Sequence, residues 1–145
     1  PEVVVVGFDT TLTYEKMCKV CDFVREGLPY FSTHPDYNCP TETGFIPDAG
    51  AIHAFIRASA GREPDHIIGK PNRDIMDYLV AREGVDKART AMVGDRLYTD
   101  VAAGVNNGYT GILVLSGEAT MEDVKVSDVE PDLIFDSVKD MIPFL

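Results

Sequence analysis

The chain has 145 residues, with 24 Asp and Glu against 13 Lys and Arg, for a formal charge of −11. That acidic balance excludes a surface that tracks nucleic-acid phosphates or an anionic membrane, because both require basic charge. A hydrophobic share of 45% with 26% charged residues is globular composition rather than disorder. No apolar run reaches the roughly 18 residues of a membrane span. Three cysteines are too few for a secreted disulfide framework, so a reducing, cytoplasmic setting is expected.

Val3-Val4-Val5-Val6 is a β-branched run that predicts a buried strand of a parallel or mixed sheet. Thr13 is the expected N-cap of a first helix, whose apolar stripe is Met17, Val20, Cys21 and Val24, with Gly27 at C′. Pro29–Thr33 predicts a short strand, and residues 34–46 a loop rich in Pro, Thr, Asn and Gly. Pro47 is expected at N1 of a second helix buried through Ile52, Phe55 and Ile56 and ended by Gly61. His66–Gly69 predicts a strand. Asn72 is the expected cap of a helix buried through Ile75, Met76, Leu79 and Val80, stopped at Gly84. Thr90–Gly94 is a predicted strand, 99–106 a helix, Gly111–Leu115 and Asp132–Phe135 two more strands, and Ser137 caps a short final helix. The alternation of strands and helices predicts an open α/β sheet, with a boundary near residues 61–66.

In open α/β sheets, ligands bind at the carboxyl ends of strands. Three charged residues of the second half fall there. Lys70 follows the His66–Gly69 strand, Asp95 ends the Thr90–Gly94 strand, and Asp100 lies five residues on, in the first turn of the next helix. Two carboxylates facing one point repel unless a cation lies between them, and all-oxygen ligation suits Mg²⁺. A lysine beside them would offset the remaining charge of a bound phosphate. Lysine, metal and aspartates together are what phosphoryl transfer requires. Asp100 also has a structural reading, as a carboxylate stabilised at a helix N-terminus.

The string Ile68-Gly69-Lys70-Pro71-Asn72, followed by Met92-Val93-Gly94-Asp95-Arg96-Leu97-Tyr98-Thr99-Asp100, closely resembles motifs III and IV of haloacid dehalogenase (HAD) superfamily phosphatases. More narrowly, it resembles their NagD/4-nitrophenylphosphatase-like family. Val4-Val5-Val6-Gly7-Phe8-Asp9, Thr33-His34-Pro35-Asp36 and Gly44-Phe45-Ile46-Pro47 resemble that family's α/β cap. The resemblance implies a partial Rossmann-like core with a cap segment: residues 1–65 from the cap and 66–145 from the C-terminal half of the core. It implies a Mg²⁺-dependent phosphatase of small phosphorylated metabolites that works through an aspartyl-phosphate. Lys70 then neutralises charge, Asp95 ligates the metal, Asp100 orients the metal shell, and Thr33, His34 and Asp36 contact substrate; His34 stands where asparagine is commoner. Gly94 and Arg96 flank the metal site, with Arg96 equally suited to a structural ion pair. Dimerisation through the cap is also implied.

Members of the family begin on a strand carrying Asp-x-Asp, which is missing here. Gly7-Phe8-Asp9-Thr10-Thr11-Leu12 mimics it, but glycine stands in the nucleophile's place and cannot form the covalent intermediate. The abrupt start at Pro1 is therefore expected to be a cut before or within the cap, with the N-terminal half of the same protein as missing partner and no turnover by this chain alone. A half-core should also leave an apolar patch beside Thr90–Gly94. A different reading is a naturally short, non-catalytic α/β module that binds a phosphorylated ligand or a protein. Cys18-x-x-Cys21 sits mid-helix and is expected to pack rather than ligate, and the acidic residues from Glu118 to Asp132 are expected to form a solvated face.

Overall fold

The computed structural model describes residues 1–144 and divides into two compact units, Pro1–Gly69 and Lys70–Leu145. The first is built on a parallel sheet in the order β1 (Val4–Val6), β2 (Tyr30–Ser32), β5 (His66–Ile67). Val4 pairs with Tyr30 and Val6 with Ser32, while Phe31 faces His66 on the other side. The strand expected to open the second stretch thus belongs to the first sheet. Helix α1 (Tyr14–Arg25) starts where expected: the Thr13 hydroxyl accepts from Lys16 N–H, satisfying one orphan donor of the first turn. Gly27 takes the left-handed conformation (φ 87°) that lets the chain leave the helix toward β2.

Helix α2 (Ala49–Ala60) packs with α1 on one face of this sheet. Val4, Val6, Met17, Cys21, Val24, Tyr30, Ile52 and Ile56 form the core, with Val24, Tyr30 and Ile56 fully buried. The other face is uncovered, so Val3 and Val5 are 44% and 60% exposed and the valine run is buried on alternate residues only. Phe55 is also exposed, correcting its expected burial. The buried face of α2 runs through Ala49, Ile52, His53 and Ile56, a 3.6-residue stripe that Phe55 misses.

Residues 34–46 are not simply a loop. They contain β3 (Asn38–Thr41), paired antiparallel with β4 (Gly44–Pro47), Asn38 opposite Pro47 and Thr41 opposite Gly44. None of these eight positions is buried, so the hairpin carries no alternating hydrophobic face from which to read it. Pro47 therefore ends a strand instead of opening a helix, a position where its missing N–H costs little on a two-stranded ribbon. The N-cap of α2 is Asp48, whose Oδ1 accepts from Ala49 N–H at 2.6 Å.

The second unit carries a parallel sheet in the order β6 (Ala91–Gly94), β7 (Thr110–Val114), β8 (Leu133–Phe135). Central β7 is covered on both sides. Leu113 packs with Leu97, Val101 and Ala119, whereas Ile112 and Val114 pack with Met141 of the 3₁₀ segment Val138–Phe144. After β6 the chain makes a π-helical turn, Leu97–Val101, and runs into the short helix α4 (Ala102–Val105). A Cβ on Gly104 would lie 2.9 Å from Gly111 Cα, so this glycine permits α4 to lie directly on β7. The acidic residues from Glu118 to Asp132 are exposed, as expected for a solvated face. The stretch contains α5 (Met121–Val126), set by a capping box between Thr120 and Asp123, with Val124 against the Leu97 cluster.

Helix α3 (Asp74–Glu83) ends at left-handed Gly84, as expected, but its N-cap is Arg73 and not Asn72. Of its predicted apolar stripe only Met76 is buried; Ile75 and Leu79 stand 45% and 42% exposed. Strand β6 lies at the edge of its sheet among the described residues. No described helix is long and apolar enough to cross a membrane.

Candidate functional site

Three predicted residues sit around the carboxyl end of β6. Asp95 leaves the strand immediately after Gly94, and the turn 117–119 is stitched to it. Asp95 Oδ2 accepts from Glu118 N–H at 2.9 Å, and its backbone carbonyl accepts from Ala119 N–H, also at 2.9 Å. A Cβ on Gly117 would come within 2.1 Å of Asp95 Oδ2, so no side chain fits there. The other oxygen, Oδ1, makes no hydrogen bond among the described residues. One oxygen is thus fixed by backbone and the other left open, beyond the end of a parallel strand.

Asp100 is 5% exposed and both of its oxygens are engaged. Oδ1 accepts from the Lys70 ammonium, and Oδ2 from Arg96 N–H at 3.2 Å. The π-helical turn carries Asp100 back against the end of β6, where a Cβ on Gly94 would lie 2.2 Å from Asp100 Cβ. Lys70 compensates a carboxylate that would otherwise be buried alone, while its own side chain stays 44% exposed. Its chain segment is held by Asn107, whose Nδ2 donates to Pro71 O at 3.1 Å and to Ala103 O at 2.9 Å. Arg96 serves as an ion-pair partner: Nε reaches Glu118 Oε2 at 2.6 Å, and the Tyr98 hydroxyl donates to Glu118 Oε1 at 3.1 Å. Gly117, Glu118 and Asn107 were missed in the sequence. Glycine and glutamate in a turn carry no motif, and Asn107 falls just past the predicted 99–106 helix.

The donor set suits a hard cation. Asp95 offers an open carboxylate oxygen next to a carboxylate already neutralised by lysine, and no sulfur or imidazole ligand enters the set. Asp100, with both oxygens hydrogen-bonded, fits the orienting role better than direct ligation.

In the first unit, Thr33, His34 and Asp36 follow β2 on a turn clamped to the start of α2. Gly50 N–H donates to Asp36 O at 2.8 Å, and Asp48 N–H to Tyr37 O at 2.9 Å. His34 Nε2 lies 2.7 Å from Asp48 Oδ1 and His34 Nδ1 lies 2.9 Å from Thr33 Oγ1. Asp48 was missed as a member of this cluster, because reading Pro47 as a helical residue hid the cap behind it. Asp9, the mimic residue, is spent on its own turn. Lys16 Nζ at 2.7 Å, together with the Thr11 hydroxyl and N–H, holds its carboxyl down to a pKa of about 2. His53 is a core histidine between the Tyr30 hydroxyl and Ser32 Oγ, and burial lowers its pKa below the usual 6.5. Cys21 is buried and Cys18 exposed, both as free thiols.

The HAD-hydrolase-like family model matches residues 67–141. Over 141 residues the chain is 40% identical to an acid sugar phosphatase of Staphylococcus aureus, covering 97% of this chain and 54% of that protein. Among solved structures, a 4-nitrophenylphosphatase of Thermotoga maritima superposes with a TM-score of 0.94 at 51% identity, over 99% of this chain and 55% of that one. NagD of Escherichia coli K-12 superposes with a TM-score of 0.85 at 34% identity, over 95% of this chain and 54% of that one. The chain spans about half the length of the relatives it matches. The chain belongs to the HAD-like hydrolases, among their NagD/4-nitrophenylphosphatase-like members.

Proposed function

We propose that this chain is part of a Mg²⁺-dependent phosphatase that hydrolyses small phosphorylated metabolites. The observation that carries the reading is the pairing of an open Asp95 oxygen with the Lys70–Asp100 ion pair at one strand end. The names of the relatives, acid sugar phosphatase and 4-nitrophenylphosphatase, support a phosphomonoester as substrate. Asp95 would hold Mg²⁺, which supplies positive charge against the phosphoryl oxygens and orients the group for in-line attack. Asp100 fixes the Lys70 ammonium, and Lys70 offsets charge on the reacting phosphate without passing a proton. The Glu118 and Ala119 N–H groups hold Asp95 in place, so the ligand is ordered before metal or substrate arrives. Thr33, His34 and Asp36 are the residues we assign to substrate selectivity.

No residue of this chain is assigned the attack on phosphorus. The family resemblance gives that role to the first aspartate of an Asp-x-Asp strand, which forms an aspartyl-phosphate that water then hydrolyses, while the second aspartate protonates the leaving alcohol. Such a strand is expected within roughly a hundred residues upstream of Pro1, on the scale of a domain. The test is hydrolysis of 4-nitrophenyl phosphate with Mg²⁺ by the 145-residue chain and by the chain extended with its upstream coding sequence. The extended protein should turn over, losing on the order of 10²–10³ in rate with Lys70→Met, as for removal of one preorganised charge stabiliser. The shorter chain should show no turnover. Metal-dependent hydrolysis by the shorter chain, abolished by Asp95→Asn, would overturn the assignment of the nucleophile. An inactive extended protein would overturn the phosphatase reading.

A further inference from the structure

Arg96 and Glu118 are 22 residues apart in sequence, yet their side chains join the segment after β6 to the turn after β7. Arg96 Nε donates to Glu118 Oε2 at 2.6 Å, and the Tyr98 hydroxyl donates to Glu118 Oε1 at 3.1 Å. We propose that Arg96 and Glu118 are positioning residues for Asp95. Their ion pair fixes the carboxylate that takes the metal, and so tightens Mg²⁺ binding without either side chain touching the ion. The inference rests on the reading of Asp95 as the metal ligand and gives these two residues a part in the same site.

The contacts close a ring. From Asp95 the peptide bond leads to Arg96, whose guanidinium holds the Glu118 carboxylate. Glu118 N–H returns to Asp95 Oδ2 at 2.9 Å, and the next N–H, that of Ala119, returns to Asp95 O at 2.9 Å. Arg96 also gives its own N–H to Asp100 Oδ2 at 3.2 Å, so a displacement at residue 96 reaches both aspartates. The open Oδ1 of Asp95 is aimed by whatever holds Oδ2. Oδ2 is held by a residue whose side chain is tied back to the position after Asp95.

Gly117 shows why a tie is needed. A Cβ there would lie 2.1 Å from Asp95 Oδ2, so the turn carries glycine where it passes the carboxylate. Glycine gives the backbone the greatest freedom to move, and the Glu118 side chain beside it supplies the restraint. The fold itself has another anchor, because Ala119 is buried with Leu97, Val101 and Leu113. An ion pair whose glutamate is 45% exposed adds little to stability, so the effect of the pair falls on geometry. Mg²⁺ demands near-ideal octahedral coordination, and a carboxylate free to rotate binds it less well than one already aimed.

Charge alone predicts a different pattern. Arg96 is a cation beside the site and would repel Mg²⁺, so its removal would tighten binding, whereas removal of Glu118 would weaken it. The clasp predicts weaker binding from both.

The experiment is Mg²⁺ binding by the 145-residue chain, followed by amide NMR, in wild type, Arg96→Gln, Glu118→Gln and the double variant. Each single substitution should weaken binding roughly 10-fold, as loss of a contact behind a metal ligand does. The double variant should bind no more weakly than either single one, because both break the same ring. Without metal, Glu118 and Ala119 N–H should exchange with solvent faster in each variant, while the thermal midpoint stays near that of wild type. Unchanged or tighter Mg²⁺ binding at Asp95 in Arg96→Gln would overturn the clasp and leave the metal reading standing. A wild-type chain without Mg²⁺-dependent shifts at Gly94–Asp100 would overturn the metal reading and the clasp with it. If Arg96→Gln fails to fold, judged by circular dichroism, Glu118→Gln decides through exchange, and unchanged protection of Ala119 N–H would overturn the clasp.

Discussion

Residues 1–69 and 70–145 each build a three-stranded parallel sheet, and they finish it differently. In the first, two 12-residue helices close one face over a core in which Val24, Tyr30 and Ile56 are fully buried. In the second, β7 is well covered, yet β6 is an edge strand and α3 buries only Met76. Both units leave apolar surface open, the first on the sheet face of Val3 and Val5, the second along Ile75 and Leu79 of α3 and at the edge of β6, the strand that ends at Asp95. Under the proposed function, further strands would pair with the β6 edge.

The contrast predicts unequal responses to truncation. Ile56→Ala should cost the first unit about 2–5 kcal/mol, the range for a buried Ile deleted to a methyl, measured by denaturant unfolding. A cost below about 1 kcal/mol would mean that the α1–α2 core is loosely packed. Lys70→Met should destabilise the second unit by about 3 kcal/mol, because it leaves Asp100 buried with only the Arg96 N–H as partner. Asp100→Asn in the same background should recover most of that loss, since the charge goes with its partner.

A smaller effect distinguishes the first unit by pH. Burial, with a further contribution from nearby His34, holds the His53 pKa below 6.5, so the unfolded chain binds the proton more readily. Its contribution to stability is complete above pH 6.5 and is lost as pH falls through the lower folded value. Thermal unfolding of the first unit should show this slope, and His53→Gln should remove it. Smallest of all is Leu79→Ala, expected within about 0.5 kcal/mol in this chain because the side chain is already exposed. A larger loss would show that α3 is better packed than its exposure indicates.

How much of this could be read in the sequence depended on whether burial left a pattern. Helix α1 announced itself through Thr13, the Met17–Val24 stripe and Gly27, and β6 through an apolar run ending at Gly94-Asp95. The β3–β4 hairpin left none, because no residue in it is buried, and the mistaken place of Pro47 then concealed Asp48 as cap and cluster member. At the β6 site, Lys70, Asp95 and Asp100 were readable from motif and strand-end logic. The contacts that hold them, from Glu118, Ala119 and Asn107, were not. They are backbone and turn contacts between segments distant in sequence, with no residue signature of their own. The exposed stripe of α3 shows the opposite limit, since periodicity identifies an apolar face without saying what covers it.

The most direct test of the central claim is a Mg²⁺ titration of this chain followed by amide NMR. The account predicts shifts concentrated at Gly94–Asp100 and at Glu118–Ala119, abolished by Asp95→Asn and left in place by His34→Asn. Shifts that survive Asp95→Asn, or that gather at residues 33–50 instead, would contradict the assignment of the metal site to the end of β6.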